Sequence, residues 1–206
     1  IWGIATTTDG GYNWTPISNP VSAATGEAGW NNSYDFVDDH GWFGTNSSII
    51  YRTTDRGQSW TSYPVPSKNM IDVSFRDKMT GVARFSEQND QGTDTLAVTT
   101  DGGITWSLVS TIAAEYGSVI FERGGERLWY LQSDNAYVST DLGATWTVQA
   151  TPLAFDFISD ASEWNDGFVS KVFAAGIEVF KYESPHQAVV SVTSPIAQPE
   201  SPRILS

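Results

Sequence analysis

Four aspartates carry the first recognisable chemistry in this chain. Asp9, Asp55, Asp101 and Asp141 lie 46, 46 and 40 residues apart, each inside an octapeptide of one form, (Ser/Thr)-x-Asp-x-Gly-x-(Asn/Ser/Thr)-Trp. The copies are Thr7-Thr8-Asp9-Gly10-Gly11-Tyr12-Asn13-Trp14, Thr53-Thr54-Asp55-Arg56-Gly57-Gln58-Ser59-Trp60, Thr99-Thr100-Asp101-Gly102-Gly103-Ile104-Thr105-Trp106 and Ser139-Thr140-Asp141-Leu142-Gly143-Ala144-Thr145-Trp146. A carboxylate in a tight loop invites a calcium reading. That chemistry needs several carboxylates packed in one loop, and each octapeptide places a single Asp at its turn. The alternative is a hairpin lock, in which Asp accepts hydrogen bonds from nearby backbone N–H groups. Gly11, Gly57, Gly103 and Gly143 then supply a positive φ. Trp14, Trp60, Trp106 and Trp146 begin the next strand and can each bury a large surface against a neighbour.

Other residues with chemical potential are scattered. Asp38, Asp39, Asp72 and Asp156 are nominal candidates for a hydrolytic carboxylate pair. With 24 acidic residues in the chain, such pairs arise without meaning, and these read as strand-end and turn carboxylates. His40 and His186 stand alone, without metal-ligand spacing. There is no cysteine, so disulfides and thiolate sites are excluded. No Gly-rich loop follows a strand and opens a helix as a phosphate cradle would. Neither a metal nor a cofactor is expected.

The elements that position the octapeptides read as strands throughout. First strands are expected at residues 34–37, 71–75, 117–121 and 155–158. Second strands fall at 41–44, 81–85, 127–131 and 167–173. Third strands fall at 49–53, 95–99 and 136–139, each leading into an octapeptide whose Trp starts a fourth. A repeated four-stranded antiparallel meander of this size is the blade of a β-propeller. The expected units are a half blade at 1–17 and blades at about 33–65, 71–111, 117–150 and 154–193. In the last unit a third strand is expected at 176–182, then a turn, Glu183-Ser184-Pro185-His186, that departs from the octapeptide, then a strand at 188–192. Residues 194–206 are Pro-rich and read as a linker. Trp42 and Trp129 lie 13 and 12 residues before an octapeptide Asp and are expected in the core. The fold class is all-β: part of a larger propeller, with further chain or subunits completing it, or a small ring of about five blades closed unusually.

The octapeptides resemble Asp-boxes, also called BNR repeats, found in sialidases, xyloglucanases, sortilin-type receptors and photosystem II assembly factors. Phe36-Val37-Asp38-Asp39-His40-Gly41-Trp42-Phe43-Gly44, followed by a strand and a box, is similar to blades of the assembly-factor type and of secreted bacterial proteins. The tail, Glu200-Ser201-Pro202-Arg203-Ile204-Leu205-Ser206, resembles linkers ahead of type IX secretion sorting domains. The sialidase resemblance implies an arginine cluster and a Phe/Tyr-Arg-Ile-Pro signature. The signature is missing; of the seven arginines (Arg52, Arg56, Arg76, Arg84, Arg123, Arg127, Arg203), Arg56 sits inside a box and several others lie at strand ends, which leaves a three-arginine site open.

Composition narrows the partners. The 206 residues carry a formal net charge of −13 and are 13% aromatic. A phosphate backbone needs a basic footprint, so nucleic acid is not expected. No apolar run reaches spanning length, so membrane insertion is not expected either. The chain starts at Ile1 rather than Met, so a preceding segment is expected and a missing signal peptide says nothing of the compartment. The expected function is a non-catalytic binding or structural module of an exported, extracellular or cell-surface bacterial protein, with a protein or glycan ligand. The alternatives are a sialidase- or xyloglucanase-like glycoside hydrolase with catalytic residues partly elsewhere, and an assembly factor for a membrane complex. In a meander the boxes share one end of the blades, and the long polar connections at 18–32 and 86–94 share the other. Long loops on a rigid scaffold tend to carry contacts, so Trp30, Asn31, Asn89 and Asp90 are the candidate binding residues.

Overall fold

The computed structural model describes residues 2–18, 21–30, 32–67, 69–86, 93–113, 117–122, 125–132, 135–149, 160–165, 169–175 and 179–185. These residues form strands and turns with no helix. A two-stranded piece, β1 (Ala5–Thr6) and β2 (Thr15–Pro16), comes first. Three four-stranded antiparallel meanders follow. They are β3 (Tyr34–Val37), β4 (His40–Gly44), β5 (Ile49–Thr53) and β6 (Thr61–Pro64); β7 (Met70–Phe75), β8 (Gly81–Phe85), β9 (Thr93–Thr99) and β10 (Ser107–Ala113); and β11 (Gly117–Phe121), β12 (Leu128–Gln132), β13 (Ala136–Ser139) and β14 (Thr147–Gln149). We call them blades 1 to 3. A three-stranded sheet closes the series: β15 (Asp160–Asn165), β16 (Val169–Ala175) and β17 (Val179–Pro185).

The strands of blades 1 to 3 fall within two residues of the positions expected at every start and end, save the short or extended fourth strands. The last sheet is displaced toward the C-terminus. Its first strand lies at Asp160–Asn165, and the expected 155–158 lies outside the described residues. Glu183, Ser184 and Pro185 do not form a turn; they continue β17, paired with Lys171, Ser170 and Val169. Polar turn-forming residues misled the reading, because a Pro at a strand end costs no ladder bond that matters. The strand expected at 188–192 lies outside the described residues.

The core lies between blades rather than within one. Side chains alternate across a strand, so a middle strand buried on both faces serves two interfaces. In β8 all five residues are buried. Ala83 and Phe85 join Trp42, Ile50, Met70, Val73 and Phe75 in the layer between blades 1 and 2. Val82 faces the other way, with Leu96, Val119, Phe121, Leu128 and Tyr130, between blades 2 and 3. The expected core positions of Trp42 and Trp129 are both buried.

First strands are neighbours in series: β3 beside β7, β7 beside β11, β11 beside β15. They are stitched by side chains. The Phe75 amide donates to Asp35 Oδ2 at 2.6 Å, and one blade on, the Phe121 amide donates to Ser74 Oγ at 3.0 Å.

Candidate functional site

The octapeptide geometry repeats four times. The hydroxyl of Thr7, Thr53, Thr99 or Ser139 donates to Oδ1 of the Asp two residues on, at 2.7–2.8 Å. The hydroxyl oxygen in turn accepts from the amide of Gly11, Gly57, Gly103 or Gly143. Oδ1 also accepts the amide of Asn13, Ser59, Thr105 or Thr145, and Oδ2 takes that residue's side chain at 2.6 Å in every copy. Both oxygens of each aspartate are thus engaged within its own box. The bonds from the residue four positions on hold Asp9, Asp55 and Asp141 down to about 2. At Asp101 burial pushes upward, and the bonds from Thr105 outweigh it, leaving the carboxyl at about 2.

Two consecutive residues take positive φ in each box. The second is the expected glycine. The first is Gly10, Arg56, Gly102 or Leu142, at 59–77°. The strain at Arg56 and Leu142 was not legible from the motif.

The box also ties its blade together and to the preceding blade. The amide of Arg56 donates to the Asp39 carbonyl, and that of Gly102 to the Met79 carbonyl, joining each box to its blade's inner hairpin. Trp42 Nε1 of blade 1 donates to Gly102 O of blade 2 at 2.7 Å, while its ring stacks on Phe75 at 3.5 Å. In blade 3 the Gly143 carbonyl accepts Ser110 Oγ of blade 2 at 2.9 Å. The indoles of Trp14, Trp60 and Trp106 donate to the carbonyls of Gly11, Gly57 and Gly103.

The carboxylate candidates are already engaged. Asp39 accepts from Lys78 Nζ at 2.7 Å and lies 2.7 Å from His40 Nδ1; Lys78 holds its carboxyl well below the usual range, with His40 adding to this. Lys78 also lies 3.4 Å from Asp38. Asp72 is sealed in the interior. Arg84 Nε donates to it at 2.7 Å, Arg84 Nη1 donates to Asp94 at 3.0 Å, and Ser118 Oγ of blade 3 reaches its other oxygen at 3.2 Å. The guanidinium lies 5.8 Å from the Tyr130 ring centre. Burial pushes the Asp72 carboxyl up against the pull of Arg84. Asp156 and His186 lie outside the described residues. No group of three or more potential metal ligands occurs among the described residues.

The opposite end holds the connection from β2 to β3. It has no regular secondary structure between Ile17 and Trp30 among its described residues, yet it is tied at many points. Asn46, from the β4–β5 connection, accepts the Ala28 amide on Oδ1, donates Nδ2 to the Gly26 carbonyl and donates its own amide to Ala28 O. Tyr51 Oη donates to the Ser22 carbonyl and lies 3.0 Å from Glu27 Oε2, which also accepts the Ala24 amide. The Ser33 amide donates to Trp30 O, and the Trp2 amide to Val21 O. Trp30 stands at the end of this tied loop, 52% exposed. Asn31, Asn89 and Asp90 lie outside the described residues. The anchors Asn46, Tyr51 and Glu27 were missed by sequence reasoning.

Residues 97–108 match the BNR/Asp-box repeat. Among curated proteins no sequence matches the chain. Two solved structures of YCF48 are similar in fold. One, bound to a D1 peptide, has a TM-score of 0.53 at 18% identity, covering 78% of this chain and 55% of that one. The other, from Cyanidioschyzon merolae, has a TM-score of 0.53 at 16% identity, covering 79% of this chain and 58% of that one. A GH74 enzyme of Niastella koreensis has a TM-score of 0.45 at 18% identity over 72% of this chain and 27% of its own. The chain thus spans little more than half the length of the YCF48 structures it matches. Sequence motif, sheet order and structural likeness agree: this chain carries BNR/Asp-box repeats on β-propeller blades.

Proposed function

We propose that the chain is a non-catalytic interaction module of an exported or cell-surface protein, contacting a protein or glycan through the blade end opposite the boxes. The observation that carries this reading is Trp30, a large indole half in solvent on a loop tied down by Asn46, Tyr51 and Glu27. A preordered aromatic loses little entropy on binding. Its ring suits stacking on a sugar or a side chain. A peptide ligand is in keeping with the YCF48 structure that holds one. The export reading draws on the likeness of the blades and tail to secreted proteins.

The hydrolase alternative has less support. It calls for a carboxylate pair facing a cleft, whereas Asp72 is sealed by Arg84, and Asp38 and Asp39 are bridged by Lys78.

The test is to probe glycan and peptide arrays with the labelled chain and titrate each hit. Trp30→Ala is expected to weaken a genuine hit about tenfold or more, the usual cost of losing an aromatic anchor. A titrated hit that this variant leaves unchanged overturns the proposed site.

A further inference from the structure

At the end opposite the boxes, the layers between blades are filled in two ways. Ser33, Asp72 and Ser118 hold equivalent places on or just before the first strands, level with Gly44, Arg84 and Leu131 on the second, and all three are buried. Between blades 1 and 2 the filling is neutral. Met70 Sδ and Ser33 Oγ occupy the space beside Gly44, where a Cβ would overlap the sulfur. Between blades 2 and 3 it is ionic. Arg84 stands where Gly44 does, donates to Asp72 at 2.7 Å and to Asp94 at 3.0 Å, and Ser118 Oγ reaches the other Asp72 oxygen at 3.2 Å. Asp72 is 1%, Arg84 5% and Asp94 3% exposed. A buried ionic trio is not needed to fill space, since apolar groups of similar volume often serve stability as well or better.

The trio acts on a distorted strand. Ile71 is an extra residue in β7: Met70 pairs with Phe85, and Asp72 with Arg84. Side chains alternate along a strand, so the extra residue reverses the phase, as β-bulges do. Met70 thereby joins Val73 and Phe75 toward blade 1, while Asp72 points with Ser74 toward blade 3. The residue clamped just after the bulge is also the one bridged to Asn32, two positions beyond Trp30. The Val73 amide donates to the Asn32 carbonyl at 3.2 Å, and the Ser33 amide donates to the Trp30 carbonyl at 3.2 Å. Contacts therefore run unbroken from Arg84 through Asp72 and Asn32 to the turn that carries Trp30.

We infer that Asp72, held by Arg84 and Ser118, is a positioning residue for Trp30: the buried clamp between blades 2 and 3 fixes the bulged strand on which the exit of the Trp30 loop is seated. The inference rests on the proposed contact site for its functional meaning. Asn46, Tyr51 and Glu27 tie the earlier part of that loop, and the bridge to Asp72 ties its end. An indole fixed from both sides loses less freedom when a ligand arrives.

The test reads Trp30 without a ligand. The chain is labelled with fluorotryptophan, the Trp30 signal is assigned from Trp30→Phe, and amide exchange is followed in parallel. The variant Arg84→Met with Asp72→Asn and Asp94→Asn replaces the clamp by a neutral filling. Its Trp30 signal is expected to shift or broaden while those of Trp60 and Trp106 stay in place. Its Ser33 and Val73 amides should exchange about tenfold faster or more, relative to those of β5. Leu96→Ala lies in the same layer between blades; it should lower the melting temperature and leave the Trp30 signal and that exchange ratio as they are. A triple variant with an unmoved Trp30 signal and unchanged ratio overturns the inference, and so does a Leu96→Ala chain that moves both as far. If the triple variant does not fold, Ser118→Ala decides by the same readouts, with a change in the same direction expected and no change overturning it. Arrays that yield no hit sink the contact reading and leave this result standing, whereas an unmoved Trp30 signal sinks the positioning alone.

Discussion

Trp42 Nε1 donates to the carbonyl of Gly102, 60 residues further along the chain, at 2.7 Å. The bond joins the second strand of one blade to the box of the next, and Gly103 sits against the same indole. The box is therefore a blade-to-blade fastening as well as a hairpin lock.

Removing the indole should be costly. Trp42 is fully buried and stacked on Phe75, so Trp42→Ala is expected to lose about 3–5 kcal/mol. Trp42→Phe keeps much of the stack but leaves the Gly102 carbonyl without its donor, at about 1 kcal/mol for the bond. Gly103→Ala adds a Cβ 3.0 Å from Trp42 Nε1 at a φ of +88°, and is expected to destabilise as well. Urea denaturation of each variant checks the order, Ala at position 42 being worst.

The boxes predict the acid limit of the fold. Their aspartates sit at about 2, below the ordinary value of 3.8. A carboxyl depressed in the folded state stabilises above its unfolded value and loses that contribution as pH falls through its folded one. Melting temperature should hold down to about pH 4 and fall between about pH 4 and pH 2. Asp55→Asn should lower stability at neutral pH and make that fall shallower. Thermal melts across the pH series read both effects.

The buried triad of Arg84, Asp72 and Asp94 should respond asymmetrically. Arg84→Met strands two buried carboxylates and is expected to cost about 3–5 kcal/mol. Adding Asp72→Asn and Asp94→Asn to that variant removes the stranded charge and should restore part of the loss. Equal stability of the single and triple variants would show that the network carries no such strain.

Arg56 occupies the left-handed region at a φ of +60°. Its side chain is exposed, so Arg56→Gly relieves the backbone without emptying a core site. A gain of up to about 1 kcal/mol is expected. Leu142, at a φ of +59°, packs partly against the core between blades 2 and 3, and its glycine variant should gain less. Paired denaturation curves compare the two.

Much of the fold was legible because the box is local. Asp, its preceding hydroxyl and its glycine act within five residues, so spacing reveals them. Trp42 and Trp129 were readable as core from their fixed distance to the box. What acts across space left no such trace. The bond from Trp42 to Gly102 spans two blades, and the ties from Asn46 and Tyr51 to residues 22–28 use a carboxamide and a phenol that sequence gives no reason to single out. The last sheet was misplaced because no box marks its register, and Glu183, Ser184 and Pro185 look like a turn while pairing as a strand. Trp30 was singled out by its long polar loop; the residues that hold that loop were not.

The boxes form a fastening end of the blades, and the proposed contacts lie at the opposite end. The most direct test is a hydrogen-exchange footprint of the chain bound to an array-identified ligand, compared with the free chain. The prediction is slowed exchange across the loop at residues 21–30, with box peptides 53–60 and 99–106 unchanged. Protection of the boxes with an unaltered loop would contradict it.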